Sequence, residues 1–289
     1  MEQREEIAAL APAPFAHGQP AQTLAVTSGK GGVGKSCIAL NLGIALAQAG
    51  RSVCLLDGNL GLGNIDLLCG LNGYWNLSHV VSGARTLAEI SLEGPHGLRV
   101  IPGASGLIDA ADCSPQAQRE ILQQLEALEQ EHEFLLIDTG TGIHRTVRQF
   151  VAAADLGLVV TTPEPTAIAD AYATIKALSA HTEFMALEVV VNCADSIEQA
   201  RDIVDRLQRT TRMFLRSDVG AAGSIPHDTQ MIQAVRRQTP CLTLSPRSPA
   251  SRALEKLARR VDNVLHHQPK AADPSFFHRL WSGLARNAA

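Results

Sequence analysis

The sequence predicts a single α/β domain, with N- and C-terminal tails, in which helices cover both faces of a mostly parallel central sheet. Short apolar runs alternate with longer amphipathic stretches along most of the 289 residues, which is the pattern of repeated strand–helix units. The chain is 45% hydrophobic but only 4% aromatic, so its core is expected to be aliphatic, as in sheets buried on both faces. No change of composition divides this alternation into two domains.

The individual elements follow from the same alternation. The apolar runs predict buried strands at residues 24–28, 52–57, 98–102, 134–138, 156–162, 187–192 and 241–244. The amphipathic stretches predict helices near residues 34–49, 114–131, 145–153, 166–181, 195–210, 227–237 and 248–267. Because a helix between two strands returns the chain to the same edge of the sheet, the strands are expected to run parallel.

The domain covers residues 24–267, and the segments outside it differ in composition. Residues 1–23 are expected to be a flexible tail, because a short charged helix is followed by sequence with closely spaced Pro and Gly. Residues 268–274 form a linker, and residues 275–289 form a separate amphipathic helix. The apolar stripe of this helix consists of Phe276, Phe277, Leu280, Trp281 and Leu284.

Charge and cysteine content narrow the class of protein. The formal net charge is −4, yet residues 201–260 contain 12 Lys and Arg against 5 Asp and Glu, a net charge of +7. Such a surface suits nucleic acid or an acidic partner, unless the arginines only line solvated helix faces. Six scattered cysteines without a C-x-x-C pair favour a reducing cytosol. Neither a membrane-spanning run nor a signal peptide is predicted.

The strongest motif is the glycine-rich stretch at residues 29–36, which fits G-x-x-x-x-G-K-[ST] between a predicted strand and a predicted helix. Its glycines allow backbone amides to surround phosphate groups, and the following helix N-terminus adds a partial positive charge. Lys35 would reach the β- and γ-phosphates of a nucleotide, and the Ser36 hydroxyl would bind Mg²⁺. The motif therefore predicts a nucleotide-binding site that uses magnesium.

A second lysine makes this motif more specific. Residues 30–36, K-G-G-V-G-K-S, resemble the deviant Walker A motif of the MinD/ParA ATPases. The resemblance implies a P-loop NTPase fold, ATP as the nucleotide, and a homodimer in which Lys30 crosses to the partner's phosphates; otherwise Lys30 only adds positive charge to its own loop. The residues expected around the nucleotide are Gly29, Lys30, Gly31, Gly32, Val33, Gly34, Lys35, Ser36 and Cys37.

Residues 57–66 resemble switch I of this family, which implies that Asp57 holds a water bound to Mg²⁺. The family has a second aspartate that activates the attacking water, but Asn59 stands at that position. An amide can orient water but cannot accept its proton. Hydrolysis is then either slow, with Asn59 positioning the water, or negligible.

Residues 138–142 resemble the Walker B and switch II run of the family, in which Asp138 binds Mg²⁺ through water. The glycines of this run allow the loop to follow the γ-phosphate. The expected metal-binding residues are Ser36, Asp57 and Asp138. The expected catalytic residues are Lys30, Lys35, Asp57 and Asn59.

Two weaker motifs suggest contacts with the adenine base. Asn192 ends a predicted strand at the position that binds adenine through its side-chain amide in this family. Residues 225–228 resemble the later I-P-x-D loop that packs on the base, which adds Pro226 and Asp228 to the expected nucleotide site. Without the P-loop upstream, an asparagine at a strand end would indicate only a turn.

Residues 161–172 indicate the branch of the family, because they are most similar to the flagellar-number regulators of the FlhG/FleN type. The resemblance covers about residues 22–265. The alternatives are a division-site ATPase of the MinD type and a partition ATPase of the ParA type, which would bind nonspecific DNA through its basic stretch. A nitrogenase-type iron protein is unsupported, because no cysteine lies just after Asp138 to complete a cluster site.

Both tails fit this branch. Residues 275–289 resemble, in position and character, the membrane-targeting helix of MinD and FlhG proteins. The alternative is that this helix docks on its own domain. Both can hold if the helix is docked in the monomer and released in the ATP-bound dimer. Residues 2–7 resemble the element by which this family stimulates the FlhF GTPase, unless the start of the chain is disordered.

The sequence therefore predicts an ATP-dependent switch. It would be a slow ATPase of the cytoplasm that dimerises with ATP and attaches reversibly to the inner face of the cell membrane. Its expected partners are a second copy and an FlhF-type GTPase or a flagellar transcription regulator, with flagellar number or placement as the output. A scaffold that binds nucleotide with negligible hydrolysis is the alternative that Asn59 leaves open.

Overall fold

Eight strands form one sheet in the computed structural model, which describes residues 20–59, 63–103, 107, 110, 113–180, 186–267 and 275–285. The strands are β1 (Gln22–Ser28), β2 (Val53–Gly58), β3 (Leu92–Glu93), β4 (Arg99–Ile101), β5 (Phe134–Thr141), β6 (Leu156–Thr161), β7 (Ala186–Ala194) and β8 (Gly220–Pro226). Their order across the sheet is β3-β4-β2-β5-β1-β6-β7-β8, and every neighbouring pair is parallel except β3 with β4. The predicted mostly parallel sheet is confirmed.

Helices connect the strands and cover both faces of the sheet. The α-helices of the described residues are α1 (Lys35–Gln48), α2 (Ile65–Cys69), α3 (Leu77–Val81), α4 (Leu87–Ile90), α5 (Pro115–Gln130), α6 (Arg145–Ala153), α7 (Pro165–Ser179), α8 (Ile197–Leu215), α9 (Thr229–Arg236), α10 (Cys241–Leu244), α11 (Pro249–His267) and α12 (Phe276–Ala285). One hydrophobic cluster lies under α5 to α8 and α12, and a second lies under α1 and α9 to α11. This two-sided cover explains why all residues of β2 and β6 are buried.

Local sequence signals set the starts of the long helices. The side chains of Ser114 and Ser196 accept hydrogen bonds from first-turn amides of α5 and α8, respectively. Pro165 occupies the first turn of α7, where its missing amide proton has no cost. The two serines lie within the amphipathic stretches from which the helices were predicted, and Pro165 directly precedes its stretch, residues 166–181.

One predicted strand is wrong. Residues 241–244 form the short helix α10 after Pro240, and the last strand of the sheet is β8 instead. A four-residue apolar run has no periodicity that distinguishes a strand from a buried helical turn. The sequence of β8, G-A-A-G-S-I-P, lacks the β-branched run of the other strands, and its extended form is supported by pairing with β7.

The order of the strands brings distant motifs to one edge of the sheet. β1 lies between β5 and β6, and β2 lies next to β5. Because these strands are parallel, their carboxyl ends meet at the same edge. The P-loop after β1 and the two switch loops after β2 and β5 therefore share that edge, which is called the carboxyl edge below.

The C-terminal helix α12 packs against α5 and α6 of its own chain. Phe276, Phe277 and Leu280 are at most 2% exposed, and Trp281 is partly buried beside them. The described side chains of the apolar stripe predicted for a membrane, Phe276, Phe277, Leu280 and Trp281, thus pack on the domain in this conformation, as in the docked alternative. The side chain of Leu284 and residues 1–19, with the predicted GTPase-activating segment, lie outside the described part. Within that part, every helix is too short or too polar to cross a bilayer.

Candidate nucleotide-binding site

The P-loop follows β1 directly and ends where α1 begins. Gly32 and Gly34 have φ angles of 80° and 88°, a left-handed conformation that favours glycine. No side chain caps the first turn of α1, and open space lies beside Gly31 and Gly32. Uncapped amides at a helix N-terminus, next to open space, form a surface suited to phosphate groups.

Lys35, the first residue of α1, forms a buried ion pair with Asp138 near the end of β5. The distance from Nζ to Oδ1 is 2.6 Å, and the two side chains are 5% and 0% exposed. A buried ammonium requires an anionic partner, and Asp138 supplies it here. The predicted phosphate-binding lysine and the predicted metal ligand are therefore in direct contact.

Asp57 and Asp138 lie side by side, because they are register partners on the neighbouring strands β2 and β5. Burial, and then the charge of Asp138, raises the pKa of Asp57 from 3.8 to about 6. Burial also raises the pKa of Asp138, although Lys35 and the Ser36 hydroxyl oppose this shift. The Oδ2 atom of Asp138 is buried without a hydrogen-bond partner among the described residues.

The predicted metal-binding residues, Ser36, Asp57 and Asp138, fit a magnesium ion. Two adjacent buried carboxylates repel each other, and a divalent cation between them removes that repulsion. An unpartnered carboxylate oxygen on Asp138 and the hydroxyl of Ser36 are the hard oxygen ligands that Mg²⁺ prefers.

Asn59 lies in switch I and faces switch II. Its backbone amide donates to Asp57 Oδ1 at 3.2 Å. Its side-chain oxygen would stand 3.8 Å from a Cβ atom built on Gly140 of switch II. Asn59 is therefore adjacent to Asp57, one of the predicted metal-binding residues, and its side-chain amide can orient a water molecule but cannot accept a proton.

Lys30 is bound within its own chain in this conformation. Its ammonium group forms an ion pair with Glu164 and donates to the Thr166 hydroxyl at 2.9 Å. The side chains of Lys30 and Glu164 are 35% and 62% exposed, so the pair is weak and can be exchanged for another anion. Sequence reasoning assigned no contact to Glu164 or Thr166. Their position just after β6, the strand beside β1, is the signal that could have identified them.

Asn192 joins the end of β7 to the P-loop. Its Nδ2 atom donates to the Val33 carbonyl at 2.8 Å. A Cβ atom on Gly34 would stand 2.3 Å from that nitrogen, so Gly34 is required for space as well as for backbone conformation. Pro226 is in register with Ala194, so two of the predicted base contacts lie on neighbouring strand ends.

Asp228 and Cys37 have structural roles in this conformation. Asp228 accepts from the Gln230 amide at the start of α9 and from the Ala250 amide at the start of α11, each at 2.9 Å. Burial tends to raise the pKa of Asp228, but these amide hydrogen bonds outweigh it and hold the pKa below its ordinary value. Burial, and then the charge of Asp138, raises the pKa of the Cys37 thiol to about 11, so this side chain is neutral.

The basic stretch 201–260 is divided between ion pairs and solvent. Arg260 forms a two-point pair with Glu188 at 2.9 and 3.1 Å, and Arg212 pairs with Asp218. Other arginines of the stretch lie on exposed helix faces: Arg201, Arg206, Arg209, Arg236, Arg237, Arg252 and Arg259. Near the end of α8, Met213 and Phe214 are 73% and 68% exposed beside this basic surface.

A lysine-bearing P-loop that opens a helix beside two strand-end carboxylates defines a class, the P-loop NTPases. A family model described as "ParA: NUBPL iron-transfer P-loop NTPase" matches residues 19–262. The chain therefore belongs to the ParA/MinD family of P-loop NTPases.

Similar proteins indicate the branch of this family. The antiactivator FleN of Pseudomonas aeruginosa is 39% identical over 262 residues, which cover 90% of this chain and 94% of that protein. The flagellum site-determining protein YlxH of Helicobacter pylori is 32% identical, with 89% and 88% covered. The solved structure of the MinD cell division protein of Aquifex aeolicus matches with a TM-score of 0.65 at 26% identity, covering 88% of this chain and 100% of that one. The predicted family and the predicted likeness to FlhG/FleN are confirmed.

Proposed function

We propose that this chain is an ATP-dependent molecular switch that regulates flagellar number or placement. With ATP and Mg²⁺ bound, two copies close face to face, and the dimer attaches reversibly to the inner face of the cytoplasmic membrane. Hydrolysis of ATP to ADP and phosphate returns it to the monomer. The main support is a P-loop with two different lysines: Lys35 is buried against Asp138, whereas Lys30 is half-exposed and weakly held.

The residues of the site favour positioning over strong base catalysis. Lys35 and the first amides of α1 neutralise the phosphates, and Asn59 orients the water that attacks the γ-phosphorus as the bond to the ADP oxygen breaks. Magnesium held by Ser36, Asp57 and Asp138 would supply further charge neutralisation at the β- and γ-phosphates. Because Asn59 cannot accept the proton of this water, slow hydrolysis is expected.

The distribution of exposed apolar side chains supports a homodimer. Of the nine large apolar side chains exposed in the described part, Met213 and Phe214 lie at the far end of α8. The other seven lie nearer the strand ends, on segments that leave the carboxyl edge: Leu67, Tyr74, Trp75, Ile143, Ile197, Ile232 and Val235. The Leu77 amide donates to the Pro102 carbonyl at 3.1 Å, so the segment with the two aromatic residues lies at the end of β4. Exposed apolar groups around a polar site favour burial by a partner, and Lys30 lies on the same face.

The membrane and flagellar parts of the proposal depend on α12 and on the relatives. α12 combines an aromatic and aliphatic face with Arg279, which suits an interfacial helix once it leaves the domain. A dimer carries two such helices, so ATP would control attachment through avidity. The flagellum site-determining protein YlxH connects a similar chain with flagella, and the antiactivator FleN connects another with negative regulation. An FlhF-type GTPase or a flagellar transcription regulator is the partner that fits these relatives.

Light scattering after size-exclusion chromatography tests the switch. With ATP and Mg²⁺, we expect the wild-type chain to be a dimer and Lys30→Ala to be a monomer that still binds a fluorescent ATP analogue. Lys256→Ala removes an exposed lysine from α11 and serves as the matched control, with wild-type dimerisation. A wild-type chain that binds ATP yet stays monomeric at all concentrations would contradict the proposal.

Phosphate release distinguishes a slow ATPase from a scaffold that only binds nucleotide. We expect a low wild-type rate that rises with anionic vesicles, and a rate at least about tenfold higher in Asn59→Asp, since a positioned base contributes about 10²–10⁴-fold. Lys35→Ala is the inactive control. Wild-type release equal to that of Lys35→Ala, with and without vesicles, would favour the scaffold.

Partition by DNA binding is a second candidate, favoured by the exposed arginines of the basic stretch. Binding through phosphate contacts would weaken steeply with salt. ATP-dependent, salt-sensitive binding to nonspecific DNA that is lost in the Arg236→Ala, Arg237→Ala double variant would support this function over membrane attachment. We expect only weak DNA binding that does not depend on ATP.

A further inference from the structure

The N-terminus of α12 faces a buried carboxylate. The amide of Phe276 donates to Glu129 Oε1 of α5 at 3.0 Å, and Glu129 is only 1% exposed. Its second oxygen, Oε2, has no hydrogen-bond partner among the described residues. The positive end of the α12 dipole is therefore met by an anion that the domain buries for this contact.

A second carboxylate meets the cationic side chain of α12. Arg279 Nη2 donates to Asp155 Oδ1 at 2.9 Å, and its Nε donates to the Ala153 carbonyl at 2.8 Å. The other oxygen of Asp155 accepts from the Thr23 amide at 2.8 Å and from the Thr23 hydroxyl at 2.6 Å. Asp155 is thus also held at the start of β1, through contacts separate from the one with Arg279.

The docking surface resembles an anionic bilayer in its chemistry. It offers an apolar surface for Phe276, Phe277 and Leu280. Glu129 accepts from the first amide of α12, and Asp155 accepts from Arg279. An anionic bilayer offers acyl chains for the same apolar face and phosphates for the same amides and guanidinium.

We propose that Glu129 and Asp155 form a carboxylate latch that holds α12 on its domain, and that the phosphates of anionic lipids open the latch by taking over the first-turn amides and Arg279. This inference rests on the proposed membrane attachment and adds its regulation. The latch and the lipid compete for the same groups of α12. Zwitterionic lipids also carry phosphate, but a cation of the same headgroup balances its charge, so a surface of zwitterionic lipid alone does not replace both carboxylates. The latch therefore restricts attachment to anionic membranes and keeps the monomer off other surfaces.

The full-length variant Asp155→Asn tests the latch without changing α12. Its docking is followed by the fluorescence of Trp281 in a Trp75→Phe background, because these are the two tryptophans of the chain. Loss of a charge-assisted hydrogen bond shifts the docking equilibrium by about tenfold or more. Without nucleotide, we expect a red-shifted Trp281 emission and an about tenfold larger fraction that sediments with phosphatidylcholine vesicles containing phosphatidylglycerol.

Asp218→Asn is the matched control, because it removes a carboxylate that also pairs with an arginine, Arg212, but does so on an exposed surface away from α12. It is expected to leave emission and sedimentation unchanged. Arg279→Gln also weakens the docking of α12, but it removes the side chain that would bind lipid phosphate. We expect this variant to bind vesicles with and without phosphatidylglycerol more equally than Asp155→Asn does.

The outcomes separate the latch from the proposed function. If ATP-bound wild type binds anionic vesicles but Asp155→Asn keeps wild-type emission and sedimentation without nucleotide, the latch is wrong and the membrane attachment stands. If Asp155→Asn shifts the emission but neither it nor ATP-bound wild type binds any vesicle, lipid competition and membrane attachment are both wrong. Urea unfolding midpoints within the error of wild type confirm that each variant is folded.

Discussion

Replacing Lys35 with methionine leaves Asp138 buried beside Asp57 without the ammonium that contacts it at 2.6 Å. We expect this variant to lose about 3–5 kcal/mol of unfolding free energy in the absence of nucleotide and magnesium, the range for removing one partner of a buried ion pair. Methionine keeps most of the length of lysine, so the loss reports the missing charge rather than a cavity.

Protonation of Asp138 limits this loss. The ordinary pKa of this carboxyl is 3.8, so keeping it protonated in the folded variant costs about 3 kcal/mol at pH 6 and about 4 kcal/mol at pH 7, at about 1.4 kcal/mol per pH unit. The folded variant then binds more protons than its unfolded chain, because its folded pKa is raised. Its stability is therefore highest at low pH, falls as pH rises, and levels off above the raised pKa.

Urea unfolding followed by circular dichroism at pH 6, 7 and 8, with a chelator present, measures this dependence. Lys30→Met is the matched control, because it breaks the half-exposed pair with Glu164 and is expected to cost less than about 1 kcal/mol at each pH. A Lys35→Met loss below about 1 kcal/mol, or a loss that does not grow between pH 6 and pH 8, would refute the idea that Asp138 is a buried anion neutralised by Lys35.

Three further single variants, one of them also combined with a second substitution, test other contacts. Gly34→Ala places a Cβ atom 2.3 Å from Asn192 Nδ2, and the left-handed backbone at this position costs an alanine about 1–2 kcal/mol. Titration with a fluorescent nucleotide should therefore show at least about tenfold weaker binding. Adding Asn192→Ala should recover part of this loss, and no recovery would mean that the clash is not the cause. Arg260→Gln should lower the unfolding free energy by about 1–2 kcal/mol, because Glu188 loses a half-exposed two-point partner; an unchanged urea midpoint would show that this pair is not stabilising. Leu280→Ala removes a buried side chain worth about 2–5 kcal/mol from the docked helix, so limited proteolysis should cut the C-terminal segment faster, whereas equal cleavage rates would contradict docking.

The P-loop and the mostly parallel direction of the strands could be predicted because their signals are local. The glycines at 29–34 carry the motif themselves, and the parallel arrangement follows from the alternation of strands and helices. The resemblance to switch I and Walker B assigned Asp57 and Asp138 to one metal site, and the structure adds that they are register partners on neighbouring strands.

Long-range contacts could not be predicted in this way. The sequence contains nothing local that pairs Lys30 with Glu164, 134 positions away, or Arg279 with Asp155, 124 positions away. An amphipathic helix has the same pattern whether its apolar face contacts a bilayer or a domain. The sequence alone therefore left both alternatives open for α12. The strand predicted at residues 241–244 was wrong for a different reason. A helical turn and a short strand of four mostly apolar residues can have the same composition.

The helix α6 connects switch II with the surface on which α12 docks. It begins just after switch II, where the Gly142 amide donates to the Ser28 carbonyl of the P-loop strand at 2.8 Å. It ends at Ala153, whose carbonyl accepts from Arg279 of α12. Nine residues of helix span only about 13 Å. The nucleotide-binding edge of the sheet and the docking site of the C-terminal helix are therefore separated by one nine-residue helix.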